Sequence, residues 1–140
     1  MKTFRKLITL ALALTLALAL AVTAFAALDG PPWTANGNGT VKGSNSYSSG
    51  TLTVRTSYHA TTTNRFFLES GALLSGYGLS NSYSCINGEY GKTSLTYNVP
   101  IHFPIGCSVI EATCSHYAYV EESDGVFKPY GGKTSQTITN

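Results

Sequence analysis

Apolar and polar side chains alternate over residues 107–122, CSVIEATCSHYAYVEE, for longer than anywhere else in the chain. Ile110, Ala112, Cys114, Ala118 and Val120 fall on one face, and Glu111, Thr113, Ser115, Tyr117, Tyr119 and Glu121 on the other. A period of two with one apolar side is the signature of a half-buried β-strand. Residues 51–59 repeat it, with Leu52, Val54, Thr56 and Tyr58 opposing Thr53, Arg55, Ser57 and His59. So do residues 77–85, where Tyr77, Leu79, Tyr83 and Cys85 oppose Ser80, Ser82 and Ser84. Residues 94–99 place Leu95, Tyr97 and Val99 on one side and stop at Pro100.

Shorter signals fill the gaps. Phe66, Phe67 and Leu68 form an apolar run that reads as a buried strand, ended by Gly71. Asp124-Gly125 is a hairpin signal that predicts a partner strand over 126–130, and Gly131-Gly132 then separates it from a polar strand over 134–139. Asn87-Gly88 marks another turn. Residues 27–50 are punctuated by Gly30-Pro31-Pro32, Asn36-Gly37-Asn38-Gly39 and Gly43-Ser44-Asn45. They predict an irregular entry segment with at most a short strand near 40–42. The single β domain then covers residues 51–140. The sum is all-β, about seven short strands in a small antiparallel β-sandwich, with a small β-barrel as the alternative. Trp33, the lone tryptophan, reads as an aromatic plug over one end of the core.

The first residues change what composition means. Lys2, Arg5 and Lys6 precede a small-apolar block over 7–22 and an Ala24-Phe25-Ala26 site, the three parts of a secretory signal peptide, residues 1–26, cleaved after Ala26. Retention as a membrane anchor is the competing expectation, and the polar end at 134–140 supplies no second anchor. The whole chain carries nine basic and seven acidic side chains. Without the signal it carries six and seven, a formal charge of −1 on 114 residues, one domain's length. The basic surface that nucleic acid requires is therefore missing, and no membrane association is expected after cleavage. The Ala/Leu-rich signal leans toward a bacterial source.

Three cysteines in a secreted domain leave at least one unpaired. Cys107 and Cys114, seven residues apart on one strand, lie about 23 Å apart on opposite faces and cannot bond. Cys85 with Cys114 is the preferred pair, which requires their strands to lie in opposite sheets; Cys85 with Cys107 is the alternative, and an unpaired, buried set the third. A leftover Cys107 near a loop would be able to join two chains.

Chemistry is sparse. Cys114 and His116 share a strand face, but Cys114 sits in an apolar stripe where cysteine is usually a small core residue. His59 and His102 add no metal-ligand spacing, the glycines lack the context of a phosphate loop, and no cofactor is expected. Glu121, Glu122 and Asp124 read as a solvated hairpin tip. What remains is surface: Tyr117 and Tyr119 with Thr113 and Ser115, a row suited to stacking on sugar rings or burying a protein partner. Arg55, Ser57 and His59, and the Ser80, Ser82, Ser84 row, offer further polar faces. The expectation is a small secreted non-enzymatic binding or surface-interaction module directed at a cell-surface glycan or protein. A bacteriocin-like or toxin-like polypeptide is the alternative, and a small secreted hydrolase the third.

Overall fold

The computed structural model describes residues 28–86 and 89–140. The expected signal peptide and the expected turn at Asn87-Gly88 lie outside the described residues. Among the described residues there are nine strands and no helix: β1 (Leu28–Asp29), β2 (Trp33–Thr34), β3 (Gly39–Ser48), β4 (Thr51–Ala60), β5 (Phe66–Gly76), β6 (Leu79–Ile86), β7 (Ser94–Pro100), β8 (Val109–Glu121) and β9 (Phe127–Thr139). Sheet A runs β1-β3-β4-β7, with β2 also paired to β3, and sheet B runs β6-β5-β8-β9. Every pairing is antiparallel. The two sheets face each other as a β-sandwich, with no closed barrel.

Alternation dictates which side chains fill the space between the sheets. On β8, Ile110, Ala112, Cys114, His116, Ala118 and Val120 are all buried. On β4 the buried set is Leu52, Val54, Thr56 and Tyr58. Each fully buried Leu, Ile or Val contributes about 1.5–3 kcal/mol. These residues form two apolar clusters, one around Leu52, Leu74, Val99, Ile110 and Ile138, the other around Val41, Tyr58, Phe66, Leu68 and Val120.

A buried polar set accompanies the two clusters. His116 Nε2 lies 2.8 Å from Thr134 Oγ1, and Nδ1 lies 3.3 Å from Thr56 Oγ1. Thr56 Oγ1 is 2.7 Å from Ser70 Oγ, and Asn45 Nδ2 donates to Thr134 Oγ1 at 2.6 Å. A neutral imidazole has one donor and one acceptor nitrogen, and a threonine hydroxyl can play either part. The ring is therefore satisfied without a charge, as burial demands. Trp33 stacks on it at 6.0 Å between centroids and 18° between planes, close to the plug expected of it.

That polar set explains where the strands depart from expectation. Residues 39–48, expected to be largely irregular, form a ten-residue strand. Its inward positions are Gly39, Val41, Gly43, Asn45 and Tyr47, and only two carry apolar side chains, so the alternation is invisible to a hydrophobicity pattern. Gly43 faces the His116 ring, where a Cβ would sit 2.2 Å from Cγ. Gly71 does not end its strand; β5 continues to Gly76. Gly131 and Gly132 do not separate two strands either, and β9 runs through them for thirteen residues. A Cβ on Gly131 would meet the His116 carbonyl oxygen at 1.9 Å, and one on Gly132 would meet the Trp33 ring at 2.3 Å. These glycines permit close approach rather than a turn.

Both expected disulfides are corrected. Cys85 and Cys114 lie in the same sheet with β5 between them: Cys85 is level with Ser70, and Cys114 with Ala72. Two strand spacings of about 4.8 Å exceed disulfide reach. Cys107 packs beside Gly76, at the far end of β5 from Ser70, about 20 Å along the strand from the level of Cys85. All three are free thiols. Cys107 is also buried, its thiol donating to the Val109 carbonyl at 3.2 Å, so it offers no surface sulfur for joining two chains. Thiol titration of the native protein is expected to modify half-buried Cys85 first, with Cys107 and Cys114 reacting only in denaturant. A native protein with no titratable thiol until reductant is added would contradict this arrangement.

Candidate functional site on the outer face of sheet B

Strand register turns the solvent face of sheet B into a grid. Directly opposed residues point the same way, so Ser84, Gly71, Ser115 and Lys133 form one row across β6, β5, β8 and β9. On one side runs the row Ser82, Leu73, Thr113 and Ser135; on the other, Ile86, Glu69, Tyr117 and Gly131. Gly71 and Gly131 add no side chain to this face: the Ser115 hydroxyl stands over Gly71, and the His116 carbonyl oxygen lies where a Cβ on Gly131 would be. The result is an open trough of about 440 Å³ lined by Glu69, Leu73, Ser82, Ser84, Thr113, Ser115, Tyr117 and Lys133, among others. A Cβ on Gly71 would reach 2.5 Å from Ser115 Oγ and 3.0 Å from the Tyr83 carbonyl oxygen, so the glycine admits the serine.

Three of the four residues expected on this face line the trough: Thr113, Ser115 and Tyr117. Tyr119 stands apart. Its ring stacks on Phe67 at 4.8 Å and 4°, and its hydroxyl donates to Glu69 Oε2 at 2.7 Å. That hydrogen bond to the carboxylate, helped by burial, pushes the Tyr119 phenol up to about 12. Tyr119 therefore fixes Glu69 at the rim rather than offering its own face. Beyond it an aromatic series continues through Phe127 to Tyr90, with ring centroids 5.4 Å apart from Phe67 to Phe127 and 5.6 Å from Phe127 to Tyr90. The Arg65 guanidinium lies over Tyr90 and Phe127 at 5.1 and 5.7 Å and pairs with Glu121 through two 2.8 Å hydrogen bonds.

Pattern reading missed Glu69, Gly71, Leu73 and Lys133. Alternation from Phe67 puts Glu69 outward within the expected strand, and Leu73 outward once the strand is allowed to pass Gly71. Lys133 needed the register of β9, which no local signal supplies. Of the serine row, Ser82 and Ser84 join the trough, while Ser80 lies level with Ser75 beyond it. Arg55, Ser57 and His59 project from β4 on the opposite sheet and take no part.

Cys114 and His116 share the inner face, both fully buried. Burial raises the Cys114 thiol to about 11 and lowers the His116 imidazolium to about 4. The pair is held as thiol and neutral ring, opposite to the thiolate and imidazolium of an activated nucleophile. Among the described residues, no three His, Cys, Asp or Glu side chains converge as a metal ion would need. Comparison with protein-family models, with curated proteins and with solved structures found no match.

Proposed function

We propose that this chain is a secreted, non-enzymatic β-sandwich module that binds a saccharide chain in the trough on the outer face of sheet B. The observation that carries this reading is the open trough itself, which gathers hydroxyls, the Tyr117 ring and two opposite charges from four adjacent strands. A sugar ring offers an apolar face to an aromatic side chain and hydroxyls to polar ones. Here Tyr117 supplies the first contact, and Ser82, Ser84, Thr113 and Ser115 supply the second. Glu69 accepts hydrogen bonds and Lys133 donates them. The volume falls within the usual range of small-ligand sites, about 300–1,000 Å³. The open trough suits a chain passing through it.

The test is binding of the purified protein to a panel of immobilised cell-wall and host glycans. Tyr117→Ser is expected to weaken binding about tenfold, equivalent to about 1.4 kcal/mol. Tyr119→Phe keeps the stack on Phe67 while releasing Glu69, and is expected to cost less than Tyr117→Ser. Absence of binding to every glycan before and after substitution would remove the proposal.

A further inference from the structure

The opposite face of the molecule carries a second trough. On sheet A the outward row Asp29, Ser44, Arg55 and Thr96 crosses β1, β3, β4 and β7, beside the row Lys42, Ser57 and Ser94. Asp29, Lys42, Ser44, Arg55 and Ser57 line an open trough of about 420 Å³ there.

The charges are what make this face informative. Among the described residues, Arg65, Lys92 and Lys128 pair with Glu121, Glu89 and Asp124. Lys133 borders the trough on sheet B. Among the described residues, Lys42 and Arg55 have no carboxylate within ion-pair distance, although Asp29 borders the same trough, diagonal to Lys42 across the β1–β3 pair. They stand diagonally across the β3–β4 pair, so two like charges are held side by side on rigid strands. The Arg55 Nε donates to Ser94 Oγ at 3.3 Å, which steadies the guanidinium and leaves its two terminal nitrogens for a ligand.

We infer that this trough binds the carboxylate-bearing units of an acidic polysaccharide. The guanidinium fork of Arg55 matches a carboxylate, and Lys42 adds a point charge beside it. Asp29, diagonal to Lys42 and two strands from Arg55, accepts hydrogen bonds from sugar hydroxyls, and Ser44 and Ser57 bond them in either sense. A uronic acid unit presents both groups on one ring, and so uses the cations and the carboxylate together. The site is independent of the Gly71 trough, being on the other sheet and built for charge. Net charge does not produce it, since the chain without its signal is acidic.

Native gel electrophoresis through polygalacturonate tests this, with the fully methyl-esterified polymer as the uncharged comparison. Retardation is expected in the acid form alone. The double variant Lys42→Gln, Arg55→Gln is expected to weaken it at least tenfold, both residues being exposed and free to change without disturbing the core. Lys92→Gln with Lys128→Gln makes the same charge change elsewhere and is expected to stay within twofold of the parent. No retardation of the parent protein would overturn the inference. So would equal retardation by the esterified polymer, or equal loss in the two double variants.

Discussion

Replacing Gly43 by alanine is expected to destabilise the protein by about 3 kcal/mol or more, a large share of the roughly 5–15 kcal/mol that holds a domain together. The methyl group would lie 2.2 Å from His116 Cγ, 2.4 Å from Cδ2 and 2.6 Å from Nδ1. A flexible side chain would swing away, but this ring is held by Thr134 on one nitrogen and Thr56 on the other, with Trp33 stacked against it. Displacing it leaves buried hydroxyls unpaired, at about 1–3 kcal/mol each. Urea unfolding of parent and variant measures the effect. Combining Gly43→Ala with His116→Ala provides the control, because removal of the ring makes room for the methyl group. The second substitution is then expected to cost far less in the Gly43→Ala background than in the parent. Additive costs would mean that Gly43 and His116 do not compete for the same space.

Acid is expected to weaken the fold through the same histidine by about 3 kcal/mol in total. In the unfolded chain His116 takes up a proton near 6.5; in the folded protein burial lowers this to about 4. Between those values the unfolded state binds the extra proton, so stability rises with pH. The contribution is fully present above about 6.5 and is lost as pH falls toward 4. Glu121, held below the usual carboxylate range by its hydrogen bonds to Arg65, acts lower down, where its stabilisation is lost as it protonates. Denaturation midpoints measured from pH 7.5 to 4 are expected to fall across the histidine window. In His116→Gln, which keeps a buried polar side chain without the titration, the same window is expected to be nearly flat. An equal slope in the variant would assign the acid sensitivity to other groups.

Fold class was legible because β4, β6, β7 and β8 each place apolar residues at alternate positions between turn residues. β3 was not, since its inward positions include Gly43 and Asn45, which are there to meet His116 and Thr134. The same cause hid the continuity of β9, where Gly131 and Gly132 answer to the His116 backbone and the Trp33 ring. A glycine chosen for contact with a distant strand looks identical, in a sequence, to one chosen for a turn. The disulfide expectation failed for a topological reason: β7, between Cys85 and Cys114 in the chain, crosses to sheet A and leaves β6 and β8 as partners of β5. Much of the candidate site was visible as the outward face of β8. Gly71, which admits the Ser115 hydroxyl, reads as a stop, and that hid Leu73 beyond it.

Amide chemical shifts of the isotopically labelled protein, followed during titration with a soluble oligosaccharide from the uncharged glycan that binds best, test the central claim most directly. The account predicts that the largest changes gather at Gly71, Ser84, Ser115, Tyr117 and Lys133, adjacent on one face although spread over four strands. Changes confined to sheet A, or scattered without relation to the Gly71 row, would contradict it.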